Sequence, residues 1–242
     1  MNLQDKYIVQ IARFDPSKGI LDVIDAYERF HNRLVSDLPD VRPPKLVLCG
    51  HGSVDDPDGA IVYDNAVAHV ERDLAYIRDM ICVKRVRPSD QKLTAILSKA
   101  KIVLQLSHRE GFEVKVSEAV HKGKPVIASR AGGIPFQLEH GKNGFLVDVG
   151  DTDAVANYLF DLWTDSELYE RMSQYDRTHI PDEVSTCGNV LNWLYLTSKL
   201  TKGEEVKPNG RWINDMARDE AGHPYTDDEA RLKRNAQTGN LN

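Results

Sequence analysis

The sequence predicts an α/β protein with a Rossmann-like, doubly wound parallel sheet. Six short apolar runs, rich in Val, Ile and Leu, are bounded by Gly, Pro or charged residues: YIVQIA, KLVLCG, MICVKR, KIVLQLS, KPVIAS and NGFLVD. Their apolarity is nearly continuous rather than alternating, which is typical of parallel strands covered on both faces. Helical periods separate the runs, so that strand and helix alternate about six times, as in a doubly wound sheet.

The helical periods follow from the spacing of apolar residues. A first helix is predicted after Asp15 and Pro16, which form its cap and first turn. Its apolar residues recur at helical spacing: Ile20, Val23, Ile24, Tyr27, Phe30 and Leu34. The same spacing marks two later helices through the following residues: Leu93, Ile96 and Leu97, then Ala154, Val155, Tyr158, Leu159 and Leu162. These helices supply the layers that cover the predicted sheet.

Three segments are expected along the chain. Residues 1–180 form the Rossmann-like lobe, and residues 181–202 contain a C-terminal helix over 184–200. Residues 203–242 are polar, with few aliphatic side chains, and such a composition buries too little surface to order itself. We therefore expect a flexible or extended tail, with Trp212 and Ile213 as its docking anchors.

Composition excludes several classes of function. The chain has 242 residues, a net charge of −6 and a pI near 5.8, which argues against a nucleic-acid partner. No apolar run reaches the roughly 18 residues of a membrane helix, so a cytoplasmic protein is expected. Cys49, Cys82 and Cys187 are far apart, and no His cluster has zinc-ligand spacing, so we predict free thiols and no metal.

Ligands of a doubly wound sheet bind beyond the carboxyl ends of the strands. In ARFDPSKG, Arg13 and Lys18 directly follow the first strand, and two cations at such a turn suit a phosphate or diphosphate. The alternative is a solvated lysine and an arginine paired with Asp15. The turn is not a P-loop, because GxxxxGK[ST] is absent.

The turn after the second strand, CGHGSVDDPDG, contains a second set of candidates. Gly50 and Gly52 form a GxG, but the third glycine of a dinucleotide fingerprint is missing. A tight turn is the alternative to a ligand site. His51 can reach a ligand from this loop, or can be an ordinary exposed histidine.

The stretch EGFEVKVSEA places two carboxylates on either side of a Gly-Phe turn. If a helix starts near Val114, the amides of Phe112, Glu113 and Val114 offer free N–H groups at its positive end, where an anion binds. Glu110 before the turn and Glu118 one helical turn later can accept hydrogen bonds from sugar hydroxyls. The spacing fits a phosphorylated sugar lying across a helix N-terminus, whereas two solvated surface charges are the alternative.

These motifs resemble those of the retaining glycosyltransferases of family 4, which have the two-lobed GT-B fold. Glu110 and Glu118 with the intervening residues resemble the family's Glu-x7-Glu pattern, and ARFDPSKG its phosphate-gripping turn. HKGKPVIAS and AGGIPFQLEHGKNGFLV resemble the next strand and the helix and strand after it. The resemblance spans about residues 7–161. Within the family it is strongest to the trehalose phosphorylases and trehalose synthases.

The resemblance implies roles for matched positions. It assigns Arg13 and Lys18 to the donor phosphates, Glu110 to the sugar ring hydroxyls and Glu118 to the ribose of a nucleotide donor. The resemblance implies that Arg13, Lys18 and Glu110 are catalytic. The remaining predicted substrate-binding positions follow the second strand or lead into the helix near Val114: Gly50, His51, Gly111, Phe112, Glu113 and Val114.

Two departures from the family pattern bear on these roles. Glu113 stands where many relatives have Gly, and a carboxylate near a phosphate is unfavourable unless it points away or meets Lys115. A phosphorylase that uses glucose 1-phosphate has no ribose for Glu118 to hold. The donor is therefore left open between glucose 1-phosphate or phosphate and a nucleotide-glucose.

The resemblance also implies a second lobe. The chain resembles only the donor-binding lobe of the fold, so an N-terminal acceptor lobe is expected as a partner, whether the chain is a fragment or a truncated product. The helix over 184–200 resembles the one that crosses back to that lobe, and a homo-oligomer is left open.

Three functions are compared. The first is a glucosyltransferase or phosphorylase lobe without a cofactor or a protein nucleophile, which acts on a sugar phosphate or nucleotide sugar and is inactive by itself. The second is a module that binds such ligands without turnover. The third, a nicotinamide dehydrogenase, is disfavoured because GxGxxG is missing.

Overall fold

A computed structural model describes residues 6–51 and 58–232 of the chain. Its sheet has six parallel strands in the order β3-β2-β1-β4-β5-β6. The strands have the following bounds: β1 Tyr7–Ile11, β2 Lys45–Gly50, β3 Ile81–Arg85, β4 Ile102–Gln105, β5 Val126–Ser129 and β6 Gly144–Val147. Each of the six apolar runs is a strand, so the predicted doubly wound α/β sheet is confirmed.

The helices follow the strands in alternation. Their bounds are α1 Ile20–Asp37, α2 Asp58–Arg72, α3 Asp90–Lys99, α4 Val114–His121, α5 Ile134–Gln137, α6 Thr152–Thr164, α7 Ser166–Thr178, α8 Thr186–Thr201 and α9 Ile213–Glu220. Within the described ranges, no helix is long and apolar enough to cross a membrane. The helix predicted to start near Val114 begins at that residue, whereas the one expected over 184–200 begins at Thr186.

Alternate residues of each strand face opposite layers of helices, because side chains of a strand point to its two faces in turn. Ile8 of β1 packs with the buried sides of α1, α2 and α6. Its neighbour Val9 belongs to the other core, formed with α3 and α4. Both faces are covered, which is why most residues of the strands are apolar.

The strand order reverses between β1 and β4. β1 pairs with β2 on one side and with β4 on the other, and the chain crosses from one half of the sheet to the other between β3 and β4. Loops that leave β1 and β4 diverge at their carboxyl ends, which opens a crevice. The turn with Arg13 and Lys18 and the loop with Glu110 lie there.

The start of the first helix differs from the prediction. Asp15 caps a short 3-10 turn over Pro16–Lys18, in which its carboxylate accepts from the Ser17 amide at 2.8 Å. Gly19 then adopts φ +57°, and α1 begins at Ile20. Since a left-handed residue interrupts a helix, the cap and the helix are two elements instead of one.

The described residues divide into two units, one within 6–177 and the other within 178–232. The expected flexible or extended tail over 203–242 is corrected, because α9 forms within it and buries Asn214 and Ala217. Residues 233–242 lie outside the described ranges. Trp212 and Ile213, the expected docking anchors, are half-buried.

Ionic contacts account for the order of the second unit. Arg231 binds Glu183 at 2.6 Å and also pairs with Asp215 in α9. Arg218 of α9 bridges to Glu229 at 2.7 Å. The charged residues of this segment, which in the sequence predict a solvated tail, thus link α9 to the segments before and after it.

Candidate active site

An open pocket of about 210 Å³ lies at the carboxyl ends of β1 and β2. Its lining includes five of the residues predicted from the sequence: Arg13, Lys18, Gly50, His51 and Glu113. Lys115 lines it as well. The structure therefore brings together the phosphate turn, the end of β2 and the start of α4.

Buried polar contacts fix the position of Lys18. The amide of Gln10 in β1 donates to the Lys18 carbonyl at 2.8 Å, and its Oε1 accepts from the Leu106 amide at 2.9 Å. The His108 amide donates to the Ser17 carbonyl at 2.7 Å. These bonds tie the turn after β1 to the loop after β4, and so bring Lys18 to the carboxylates of that loop.

The space beside this turn admits only glycine at position 19. A Cβ on Gly19 would lie 2.0 Å from the Leu106 carbonyl oxygen, and φ is +57°. Glycine meets both requirements without strain. The PSKG sequence is thus needed for the approach of the two loops.

Lys18 forms two ion pairs. Its ammonium bonds to the Glu110 carboxylate and to Glu113 Oε2, the latter at 3.0 Å. All three side chains are nearly buried, with exposed fractions of 10%, 14% and 9%. Glu110 also accepts from Ser107 Oγ at 3.2 Å and from the Gly111 amide at 3.0 Å.

The three groups shift one another's pKa. Burial lowers the pKa of Lys18, but hydrogen bonds to Glu110 and Glu113 outweigh it and raise the pKa. Burial raises the pKa of Glu110, but its hydrogen bonds to Glu113 and Lys18 outweigh burial and hold that pKa below its usual value. The pKa of Glu113 is raised by burial and then by Glu110. As pH falls, Glu113 is therefore the carboxyl that takes up a proton first.

Glu113 also shapes the start of α4. Its φ is +59°, an uncommon value for a residue with a side chain, and its Oε1 accepts from the Lys115 amide at 3.2 Å as an N-cap. A glycine would adopt this left-handed conformation without strain. The carboxylate neither points away nor pairs with the Lys115 ammonium, since Oε2 binds Lys18.

The loop before α4 is held by the glycines after β5. A Cβ on Gly132 would lie 1.7 Å from the Glu110 carbonyl oxygen, and one on Gly133 would lie 2.6 Å from that of Gly111. Gln137 also donates to the Phe112 carbonyl. AGGIPFQ thereby positions the EGF turn, a role that its sequence alone does not show.

The remaining predicted residues surround the start of α4. Gly111 is exposed, and Phe112 and Val114 are 40% and 57% exposed. Glu118 is half-buried and pairs with Lys115 at 2.7 Å. Neither Glu110 nor Glu118 is an isolated surface charge.

Gly50 has a packing reason for its residue type. A Cβ there would lie 1.8 Å from the Ala12 carbonyl oxygen, so β2 can approach the end of β1 only with glycine. His51 is half-buried at the pocket wall. Gly52, the second glycine of the GxG, lies outside the described residues.

Sequence reasoning missed two contributors. Lys115 lines the pocket and binds Glu118, and the i, i+3 spacing of this pair on a helix was a signal for it. Ser107 lies two residues after the end of β4 and bonds to Glu110, which no local pattern indicated. Within the ranges 6–51 and 58–232, no group of three or more metal-binding side chains occurs.

The model of the family described as "Glycosyl transferases group 1" matches residues 1–179. The chain belongs to this family. The resemblance inferred from its motifs is thereby confirmed, and the pocket occupies the carboxyl edge of a group 1 glycosyl transferase sheet.

The chain is similar to trehalose phosphorylase of Pleurotus pulmonarius, with 54% identity over 94% of the chain and 31% of that protein. It is 36% identical to trehalose synthase of Thermococcus litoralis over 64% of the chain and 35% of that protein. The chain thus spans about a third of the length of these curated relatives.

Solved structures show the same fold at lower identity. Sucrose-phosphate synthase from Thermosynechococcus elongatus has a TM-score of 0.68 at 23% identity, over 84% of this chain and 47% of that one. The C-terminal domain of a glycosyl transferase group 1 family protein from Francisella tularensis has a TM-score of 0.59 at 24% identity, over 72% and 83%. The Rossmann-like sheet is therefore that of known glycosyltransferases.

Proposed function

We propose that this chain forms the donor-binding lobe of a retaining glucosyltransferase that converts trehalose and phosphate into glucose and glucose 1-phosphate. The observation that carries the proposal is the 54% identity to a trehalose phosphorylase over 94% of the chain. The pocket supports it, because cations follow β1 and a helix begins after β4 at one edge of the sheet.

In the proposed reaction, an oxygen of inorganic phosphate forms the new bond to the anomeric carbon as the bond to the departing glucose breaks. The departing oxygen takes a proton from the attacking phosphate, on the same face of the sugar, so that the configuration is retained. Arg13 and Lys18 lower the energy of the charge on the phosphate, together with the amides at the start of α4. No cofactor takes part in this scheme.

Glu113 gives the site a further property. A phosphate that binds Lys18 competes with Glu113 for the ammonium, because Glu113 lies 3.0 Å from it and carries a charge of the same sign as the phosphate. The raised pKa of Glu113 supports uptake of a proton when the anion enters. Glu110 then remains as the charged acceptor for hydroxyls of the transferred sugar.

The alternative donor is a nucleotide-glucose, as for an enzyme of the trehalose synthase type. Glu118 favours it, because this carboxylate lies one turn into α4 and retains the residue type that binds a ribose. It pairs with Lys115, which is the third cation that lines the same pocket, after Arg13 and Lys18. The acceptor sugar in either reaction would be held by a second lobe.

Calorimetric titration of the chain with inorganic phosphate, glucose 1-phosphate, UDP-glucose and ADP-glucose tests the proposal. We expect binding of phosphate and glucose 1-phosphate without preference for a nucleotide. Glu110→Ala then weakens glucose 1-phosphate by about tenfold, whereas Glu118→Ala leaves it unchanged. A Glu118→Ala variant that loses about tenfold in affinity for UDP-glucose would favour the nucleotide donor.

Lys142→Ala is a matched control for loss of one cation, since Lys142 is 59% exposed and pairs with Glu139. We expect no change in affinity from it. If neither glutamate substitution nor Lys18→Ala changes any affinity more than this control does, the assignment of the pocket is wrong.

A binding module without turnover is the second candidate. The observation that favours it is the pairing of Lys18 with both Glu110 and Glu113, which offsets the charge that this cation would otherwise offer to a leaving phosphate. It predicts the same ligand affinities but no glucose 1-phosphate from trehalose and phosphate. Turnover by the chain alone, measured by coupled glucose release, would contradict this candidate.

A further inference from the structure

A second open pocket, of about 310 Å³, lies at the opposite edge of the sheet, where β1, β2 and β4 begin. Lys6 precedes β1, Lys45 is the first residue of β2 and Lys101 precedes β4. Arg42 and the ring of Trp163 complete the basic side of the pocket. Because β1 is five residues long, this pocket is roughly 17 Å from the one at the carboxyl edge.

The charges of this pocket have no counter-charge among residues 6–51 and 58–232. Its lining contains four cations and no carboxylate. None of the four, Lys6, Arg42, Lys45 and Lys101, forms a salt bridge with a described residue. The chain as a whole carries a net charge of −6, so its composition does not predict a cluster of four cations.

Burial and nearby cations both lower the pKa of two amines at this edge. Burial and then Lys6 lower the pKa of Lys101. The pKa of Lys124 is also lowered, by burial and then by four nearby cations: Lys6, Arg177, Lys122 and Lys99. Amines that repel one another in this way are stabilised by an anion placed between them.

Lys101 is already oriented toward the pocket. Its ammonium donates to the Trp163 carbonyl at 3.2 Å, near the end of α6, and lies 4.4 Å from the centre of the Trp163 ring. These contacts hold the side chain in place, so that little entropy is lost when an anion binds. Lys6 and Arg42 are exposed and can reach the same ligand from the rim.

We propose that this pocket is a second anion-binding site, which takes a small phosphorylated molecule with two or more negative charges. Its volume is at the lower end of the range for small-molecule sites, and is too small for a folded partner. Several point charges at separate positions suit an ion with several phosphate oxygens. Because the two sites lie at opposite edges, this ligand does not occupy the donor pocket.

Titration of the chain with pyrophosphate, ATP and glucose 6-phosphate tests the proposal, with the indole N–H signal of Trp163 followed by NMR and assigned through Trp163→Phe. We expect pyrophosphate and ATP to shift this signal. The double substitution Arg42→Gln and Lys45→Gln then weakens binding by roughly tenfold or more at low salt. Arg72→Gln with Lys92→Gln removes the same charge from exposed positions on α2 and α3 and leaves the affinity unchanged.

The substitution Arg13→Ala separates this site from the donor pocket. The shift of the Trp163 signal persists in that variant, even if the donor pocket proves to bind no phosphate. The proposal is overturned if no ligand shifts the signal at millimolar concentration. It is equally overturned if the double substitution and its control weaken binding alike, or if only an oligonucleotide or an acidic peptide binds.

Discussion

At the carboxyl end of β1, the cation Lys18 meets two carboxylates, whereas at the amino end Lys6 and its neighbours meet none within the described residues. Both edges have pockets that suit phosphate. At the carboxyl edge, however, an anion must compete with Glu113 for Lys18, and at the amino edge it meets cations that repel one another. The number of cations in a pocket therefore does not by itself determine its affinity for an anion or the pH dependence of that affinity.

A buried acid also lies near the amino ends of the strands. Asp176 of α7 is fully buried, and neither of its carboxylate oxygens has a hydrogen-bond partner among the described residues. Ser173, on the same helix, bonds to the Gly123 carbonyl just before β5. Burial raises the pKa of Asp176 to about 9. Glu110 and Glu113 at the carboxyl edge, which pair with Lys18, thus contrast with the unpaired Asp176 near the amino edge.

The largest expected effect is that of Asp176→Asn on stability. The folded-state pKa is above the ordinary 3.8, so the folded protein holds a proton that the unfolded chain releases, and stability falls as pH rises from about 4 to about 9. The variant lacks this loss, so we expect its free energy of unfolding, relative to that of the wild type, to rise by up to about 4 kcal/mol between pH 4 and pH 7. Urea denaturation across this range measures it.

Asp161→Asn, at an exposed position, is the control and should leave the pH profile of stability unchanged. An Asp176→Asn profile parallel to that of the wild type would show that Asp176 is charged when folded, and the contrast between the two edges would be lost.

The next effect is that of Lys18→Ala, which leaves Glu110 and Glu113 facing each other without a cation. We expect a loss of about 2–3 kcal/mol in the free energy of unfolding at pH 8, since an uncompensated buried charge is costly. Adding Glu113→Gln restores part of it by removing one of the two charges. A double variant no more stable than Lys18→Ala would mean that the three side chains do not act as one cluster.

Glu113→Gln as a single substitution tests the comparison of the two edges through the affinity of the carboxyl-edge pocket for an anion. The substitution removes one of the two carboxylates that bind Lys18, and with it a negative charge, so we expect sulfate, whose charge is constant with pH, to bind about threefold to tenfold more tightly at pH 8. The advantage shrinks as pH falls, because Glu113, with its raised pKa, becomes protonated in the wild type. Titration calorimetry at two pH values measures this, and an equal gain at both would refute the role of Glu113.

The smallest effect is expected on the protein surface, at His69. Bonds to Asp73 at 2.8 Å and Asp25 at 3.1 Å outweigh partial burial and raise its pKa. The stabilisation is complete below the ordinary value of 6.5 and is lost as pH rises through the raised pKa. His69→Gln should cost only a few tenths of a kcal/mol at pH 5 and nothing at pH 9. A cost independent of pH, in thermal unfolding, would show that packing and not charge is involved.

The sequence predicted the sheet well because its signal is local. Each buried strand is a short apolar run, and α4 begins at Val114, as the Gly-Phe turn indicated. α9 could not be predicted in this way, because Arg218 and Arg231 hold it through ion pairs to Glu229 and Glu183 that apolar periodicity does not register.

The sequence predicted which residues belong to the candidate site, but not which of them contact one another. Arg13, Lys18 and Glu113 line one pocket as expected, yet the pairing of Lys18 with Glu110 and Glu113 spans 92 and 95 residues of sequence. Such a pairing depends on β1 lying beside β4, which only the assembled sheet determines. The basic pocket at the amino edge was missed for the same reason, since its lysines lie at the starts of three separate strands.

The central claim is that the carboxyl edge of the sheet binds the donor phosphate. Amide NMR of the chain, titrated with glucose 1-phosphate at a fixed ionic strength, tests it most directly. We predict that the largest shifts occur at the amides of Phe112, Glu113 and Val114 and around Lys18, and that Lys18→Ala abolishes them. Shifts confined to Lys6 and Trp163 at the amino edge, or no shifts at all, would contradict the claim.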